Sequence, residues 1–294
     1  MKILLTGASG MLAADVIPVF EKQGHIVIKT DITSRLFGTR LLDITNLDEV
    51  LSMTSEVSPD YIFHFGAETN VDYCEENPDH AYNVNTEGTK NIVEACKKNT
   101  TKLVFISTGA VFSGEKEVPY TEEDDPSPAT VYGKSKLRAE KVIRLGLDEY
   151  YIFRAGWMVG GWEIDKKFVY KIVRQIKNGK KELKVVADKF GTPTFTKDFA
   201  NNLIKVVDFA EYGLYHMVNK GTCSRYEMAL KIVQFMGNGV RVVPVDSSEF
   251  PLPAPRARSE MMQNDKLGIL ELNHMPKWEE SLKKYIEGNK DNDE

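Results

Sequence analysis

The sequence predicts an α/β fold, a doubly wound parallel sheet followed by a smaller C-terminal α/β unit. Three observations predict it. The short apolar runs of the first half are continuous rather than alternating, so their strands are buried on both faces. Helical patterns separate them, and such alternation builds right-handed crossovers onto a parallel sheet. A glycine-bearing turn also joins the first run to the first helical pattern, with an acid at the end of the second run.

Ile3-Leu4-Leu5 is the first strand candidate, and a helical pattern follows from about Met11 to Lys22, stopped by Gly24. Pro18 lies inside that pattern and should kink it. His25 to Lys29 reads as the second strand, Leu41-Leu42 as a third, and Tyr61 to Phe65 as a fourth after the Pro59-Asp60 turn. Leu103 to Ile106 is the fifth and Tyr151 to Phe153 the sixth, with helical patterns over Asn83 to Lys97 and Tyr132 to Arg144. Further on, Phe168 to Lys177 and Arg225 to Met236 look helical, and Leu214 to Val218 and Val240 to Val245 look extended. Phe250 to Pro255 carries three prolines and must be a loop, and the polar tail after Glu287 should fray. The expected division places a dinucleotide-binding domain over residues 1–155, with about 195–218 returning to it. A substrate-binding domain takes 156–194 and 219–294.

Composition narrows the function. The chain has 294 residues, with 38 Lys plus Arg against 43 Asp plus Glu, a formal charge of −5. That balance argues against a nucleic-acid partner held by phosphate neutralisation. No apolar run is long enough to span a membrane, and no signal peptide is evident. The three cysteines, Cys74, Cys96 and Cys223, are widely spaced and make no metal pattern, and neither do the five histidines. A cytoplasmic protein with structural thiols and no metal is expected. The acidic run Glu122 to Asp125 and the pair Glu75-Glu76 are expected to be solvated, His64 to be a satisfied core residue, and Met261-Met262 to be packing.

The turn Thr6-Gly7-Ala8-Ser9-Gly10-Met11-Leu12-Ala13 has the chemistry of a pyrophosphate cradle. Glycines permit the tight turn and close backbone approach, and a helix start offers free N–H groups. Asp31 can bond ribose hydroxyls, which favours NAD, while Arg35 can meet a 2′-phosphate, so NADPH and NADH both stay open. Asp43-Ile44 flanks the adenine position, although Asp43 fits equally well as a cap of the next helix. Tyr132 and Lys136 stand four apart on a helical pattern and share a face. An ammonium there stabilises a phenolate and reaches the ribose of a nicotinamide. Thr108, ending the fifth strand beside Ser107, stands where open sheets bind ligands and can hold a carbonyl.

Taken together, the Gly-x-x-Gly turn, Ser107-Thr108 and Tyr132-x-x-x-Lys136 resemble the extended short-chain dehydrogenase/reductases, and among them the dTDP-4-dehydrorhamnose reductase family. The runs Arg154-Ala155-Gly156-Trp157, Asp188 to Thr194 and Pro253-Ala254-Pro255-Arg256 extend the likeness to about Leu282. The resemblance implies a Rossmann-like fold. It also implies reduction of the 4-keto group of a nucleotide-linked 6-deoxy sugar by NADPH or NADH, in dTDP-rhamnose or related deoxysugar biosynthesis. Tyr132 is then the proton donor, Lys136 its tuner and Thr108 the residue that orients the ketone. Phe65, Gly66, Ala67 and Thr69 line the nicotinamide side, and Thr69, Val71, Trp157 and Arg256 border the substrate, with Trp157 packed on the sugar. The family's Asp-Tyr after the threonine is Gly109-Ala110 here, so the sugar pocket is expected to be enlarged. The partner is a nucleotide sugar, and a homodimer stays open. Two alternatives share the fold: a cofactor-binding regulatory subunit without turnover, and a sugar-nucleotide epimerase.

Overall fold

A computed structural model describes residues 1–165, 167–237 and 239–289. Its strands in chain order are β1 (Lys2–Thr6), β2 (Ile26–Asp31), β3 (Arg40–Leu41), β4 (Tyr61–His64), β5 (Lys102–Thr108), β6 (Tyr150–Ala155), β7 (Trp157–Val159), β8 (Glu182–Val186), β9 (Phe190–Gly191), β10 (Pro193–Phe195), β11 (Gly213–His216), β12 (Cys223–Ser224), β13 (Arg241–Val245) and β14 (Ser259–Glu260). The helices are α1 (Met11–Lys22), α2 (Leu47–Val57), α3 (Val71–Glu76), α4 (Pro78–Tyr82), α5 (Gly88–Asn99), α6 (Val131–Gly146), α7 (Phe168–Lys177), α8 (Thr196–Phe209), α9 (Arg225–Met236), α10 (Asp265–Ile269) and α11 (Trp278–Glu287).

Seven parallel strands form the main sheet in the order β11-β6-β5-β4-β1-β2-β3. Strand order reverses at β1, which pairs with β2 on one side and with β4 on the other. Thr6 and His64 end these neighbours in register, so a crevice opens beyond their carboxyl ends, the place where open α/β sheets bind ligands. Because helices cover both faces, the central strands carry no polar face. Ile3, Leu4 and Leu5 of β1 and Ile62 and Phe63 of β4 have no exposed surface. One apolar core lies on the α1 and α8 side, and another on the α2, α5 and α6 side. A third is built around α7, α9 and α11, where β8 and β13 pair in parallel. Among the described residues no helix is long and apolar enough to cross a membrane.

Several elements differ from the sequence expectation. The third strand is Arg40–Leu41, while Leu42 turns into the core. α1 runs through Pro18, which sits on its exposed side, where the carbonyl freed by the missing N–H can meet water. The helix expected over Asn83 to Lys97 is two pieces, a π-helical turn over Asn83–Glu87 and α5, and α4 runs directly into the first of them. Such turns often mark functional sites, and this one buries Asn85 and Thr86. Residues 290–294 of the expected frayed tail lie outside the described residues.

Candidate active site

Gly7 takes a φ of +72°, and a Cβ there would stand 2.7 Å from the backbone nitrogen of Gly66. The turn after β1 and the loop after β4 therefore touch backbone to backbone. Gly10 opens α1 without a capping side chain, and the first turn of the helix has no acidic residue. Its N–H groups and the positive end of its dipole are left for an anion. The Ser9 hydroxyl is buried there with no hydrogen-bond partner. An orphaned donor beside uncapped N–H groups fits a pyrophosphate. Asp31 accepts hydrogen bonds from the Ser9 N–H (3.0 Å) and the Thr33 N–H (3.1 Å), which ties the turn to the end of β2. A carboxylate has about four lone-pair sites, so acceptor capacity remains for a ribose. Met11 packs near Gly161, and Leu12 and Ala13 face the core. These residues fit a dinucleotide cofactor. Gly7→Ala is expected to destabilise the chain by more than about 1 kcal/mol, since alanine is strained at positive φ and the neighbouring atoms are backbone. Cofactor affinity should drop tenfold or more in a fluorescence titration, and unchanged affinity would show that the turn does not hold the cofactor.

On the adenine side, Asp43 and Ile44 both make contacts within the chain. Asp43 accepts from the Thr45 N–H (2.9 Å) and hydroxyl (2.7 Å), and its own N–H donates to Glu49. The cap of α2 is Asn46 rather than Asp43. Ile44 is buried and wedged against Gly66 and Gly88. Phe65 likewise packs on the core beside Phe63.

A polar network runs beneath the crevice. The Gly66 N–H donates to the Thr6 hydroxyl (3.2 Å), which donates to His64 Nδ1 (2.8 Å). The Thr89 hydroxyl donates to the Asn85 carbonyl (2.7 Å) and so accepts from His64 Nε2 (3.1 Å), which fixes the tautomer. Burial and the nearby Lys136 charge push His64 down to about 3, so it is neutral. The Asn85 amide donates to the Glu68 carbonyl and the Ser135 hydroxyl, each at 3.0 Å, and accepts from the Glu68 N–H (2.9 Å). One buried asparagine of the π turn thus fixes the loop carrying Gly66, Ala67 and Thr69 against α6.

α6 begins with two caps. Thr130 accepts from the Gly133 N–H (3.0 Å), and Glu75 of α3 accepts from the Val131 N–H (2.9 Å). Glu75 is therefore a cap rather than the solvated residue expected. Tyr132 is half-buried on the first turn, and Lys136 is buried on the next. Burial pushes the Tyr132 phenol up, and a hydrogen bond with Thr108 pulls it back down. Thr108 ends β5, and its hydroxyl accepts from the Ala110 N–H at 3.1 Å. Gly133 lets this turn close on α6, since a Cβ there would lie 2.1 Å from the Ala110 carbonyl oxygen. Lys136 Nζ stands 4.0 Å from the Phe105 ring centroid. Burial lowers its pKa to about 7, against an upward pull from Glu140.

Glu140, one further turn along, forms a buried pair with Arg154 through bonds of 3.0 and 2.7 Å, and Ser107 donates to it at 2.5 Å. Sequence reasoning missed Glu140, although its i+4 spacing from Lys136 was the available signal. It also missed Asn85, which carries no motif, and Glu122. Burial raises the Glu122 carboxyl, which accepts backbone bonds from His216 and Asp265 instead of lying in a solvated run.

On the substrate side, Thr69 is exposed and Val71 starts α3. Asp72, next to Val71, pairs with Arg256 (2.7 Å) and accepts from the Ala254 N–H (3.2 Å), which pins the proline-rich loop to α3. The Trp157 indole donates to Glu260 at 2.5 Å, and the Arg225 guanidinium lies 3.5 Å from the Trp157 ring centroid. Gly191 abuts the same indole, where a Cβ would collide at 2.3 Å. Protein atoms thus already cover much of the ring expected to pack on a sugar. The enlargement expected at Gly109 is also corrected: Met262 is buried there, its Cε 2.9 Å from where a Cβ would stand.

The model of the RmlD substrate binding domain family matches residues 1–290. The spore coat polysaccharide biosynthesis protein SpsK of Bacillus subtilis is 32% identical, with 97% of each chain covered. A solved dTDP-4-dehydrorhamnose reductase from Clostridium acetobutylicum is 38% identical at a TM-score of 0.92, covering 99% of this chain and 100% of that one. The Bacillus anthracis dTDP-4-dehydrorhamnose reductase, solved in complex with NADP, is 32% identical at a TM-score of 0.90, covering 98% and 99%. A match of that length leads to one conclusion: the chain belongs to the RmlD substrate binding domain family.

Proposed function

We propose that the chain reduces the 4-keto group of a nucleotide-linked 6-deoxy sugar, in the manner of a dTDP-4-dehydrorhamnose reductase, with NADPH or NADH as cofactor. The observation that carries this reading is the Thr108, Tyr132 and Lys136 set at the open end of β5 and α6, beside a turn that fits a pyrophosphate. The names borne by the similar chains support it. The reading carries with it a cytoplasmic enzyme, for which a homodimer stays open.

Gly7, Ser9, Gly10 and the first turn of α1 would hold the pyrophosphate, Asp31 a ribose, and Lys136 the ribose on the nicotinamide side. The bound cofactor supplies a hydride. Thr108 donates a hydrogen bond to the ketone oxygen and orients it, and Tyr132 gives that oxygen its proton. As the proton leaves, negative charge develops on the phenol, and Lys136 offsets it from one helical turn away. Mixing the chain with NADPH and a dTDP-4-keto-6-deoxyhexose should remove the nicotinamide absorbance. Failure of every such sugar to oxidise a cofactor that binds would overturn the reading.

Lys136 makes this function pH-dependent. The kcat/KM is expected to fall as pH rises through about 7, where Lys136 loses its proton in the free enzyme. In Lys136→Met that alkaline limb should vanish along with most of the activity. Stability should move the other way. Below pH 7 the lysine is charged in both folded and unfolded chains, so its full burial cost opposes folding. Above 10.5 it is neutral in both, and the cost is gone. Lys136→Met should therefore raise the thermal midpoint at pH 6 and lose that advantage near pH 11. An unchanged alkaline limb in the variant would remove Lys136 from the proton step.

A further inference from the structure

Arg225 is an unusual cation for its position. It is the first residue of α9, where the helix dipole disfavours positive charge. Its backbone N–H reaches the Lys189 carbonyl (3.3 Å), which places it against the segment leading into β9. Its guanidinium lies 3.5 Å from the Trp157 ring centroid and 5.0 Å from that of Phe168. Among the described residues it has no carboxylate within ion-pair distance and no hydrogen-bond acceptor. Glu260, bonded to Trp157, is the carboxylate that offsets it, and Arg256 adds like charge from the proline-rich loop. Burial lowers the guanidinium pKa to about 10, so it remains charged at neutral pH. A planar fork of five donors is thus held flat on aromatic rings with its hydrogen bonds unmade. Bidentate recognition of phosphate oxygens is the chemistry such a fork serves.

The surroundings point the same way. Lys189, whose carbonyl holds the Arg225 N–H, lines a cleft of about 470 Å³ with Arg256, Arg258, Glu115, Ser113 and Ala129; Arg225 itself is not part of that lining. That volume is within the range of small-ligand sites. Arg256 is paired with Asp72, Lys189 with Asp188 and Arg258 with Glu117, so among the described residues the cation of this quarter without an ion-pair partner is Arg225. An anion lying between Arg225 and Arg256 would relieve their mutual repulsion.

We propose that Arg225, stacked on Trp157, receives the diphosphate of the nucleotide-linked substrate. This rests on the functional reading above and extends it, because it assigns the substrate's charge to a residue outside the Thr-Tyr-Lys set. It also gives Trp157 a different part. The indole is the platform that holds the guanidinium flat, and Glu260 fixes the indole through its N–H.

The experiment is calorimetric titration of the chain, preloaded with NADPH, with dTDP and with thymidine. The wild-type chain should bind dTDP at least tenfold more tightly than thymidine. Arg225→Met keeps a flexible apolar side chain against the two rings. It should weaken dTDP binding by roughly 10- to 100-fold, the range for losing charge-assisted hydrogen bonds, and leave thymidine and NADPH affinities unchanged. Arg225→Lys should recover part of the loss, as a point charge without the fork. An Arg225→Met chain that still binds dTDP as the wild type does would overturn the proposal while leaving the reductase reading intact. A wild-type chain that binds NADPH but neither dTDP nor a dTDP-linked sugar would overturn the reductase reading itself.

Discussion

Tyr132→Phe is expected to lower kcat by roughly 10²- to 10⁴-fold, the usual worth of a positioned general acid, with cofactor affinity unchanged. The phenol is half-buried at the start of α6, and phenylalanine differs from tyrosine only by the lost hydroxyl. The substitution removes the hydroxyl proposed to give the proton and leaves the Asn85 network in place, because that network uses the Tyr132 backbone carbonyl, which accepts from Ser135 at 2.8 Å. Single-turnover measurement with saturating cofactor separates the chemical step from binding. A variant that turns over at the wild-type rate would take Tyr132 out of the mechanism, and the role would pass to another acid in the crevice.

Glu140→Ala should cost about 3–5 kcal/mol of folding stability, because removing one partner of a buried ion pair strands the other. Glu140 and Arg154 are 1% and 3% exposed, and the carboxylate also accepts from Ser107. Denaturant unfolding measures the loss. The double variant Glu140→Met with Arg154→Met should recover most of it, since an apolar pair of similar volume does not need the charges. Equal destabilisation in the single and double variants would mean that the cost lies in packing rather than in an unpaired charge. Glu140→Gln carries a second readout. Glu140 holds the Lys136 pKa up, so neutralising it should shift the alkaline limb of kcat/KM to lower pH. On the proposed mechanism the pair thus couples the strength of the fold to the proton step.

The fold was legible because its signal is local. A strand buried on both faces must be apolar throughout, and Ile3 to Leu5 and Tyr61 to Phe63 are. α7 and α9 run over the residues their patterns marked, Phe168–Lys177 and Arg225–Met236. Turns with a conformational requirement were equally plain, as at Gly7. What escaped were elements whose reason lies elsewhere in the chain. The π turn over Asn83–Glu87 has no pattern of its own, and its buried Asn85 is satisfied by Glu68 and Ser135, 17 and 50 residues away. β8 alternates too briefly to stand out, and β13 completes it.

By itself, then, the chain's chemical order determined the parallel sheet, the glycine turn that opens α1 and the helical spacing of Tyr132 from Lys136. Each of these depends on residues within a few positions of one another, where backbone geometry alone sets which groups share a face. Only the tertiary structure decided that Met262 fills the room at Gly109, that Glu75 caps α6, and that Arg225 lies on Trp157 under the influence of Glu260. Those contacts join segments that meet through packing, and no local pattern encodes a partner tens to more than a hundred residues away.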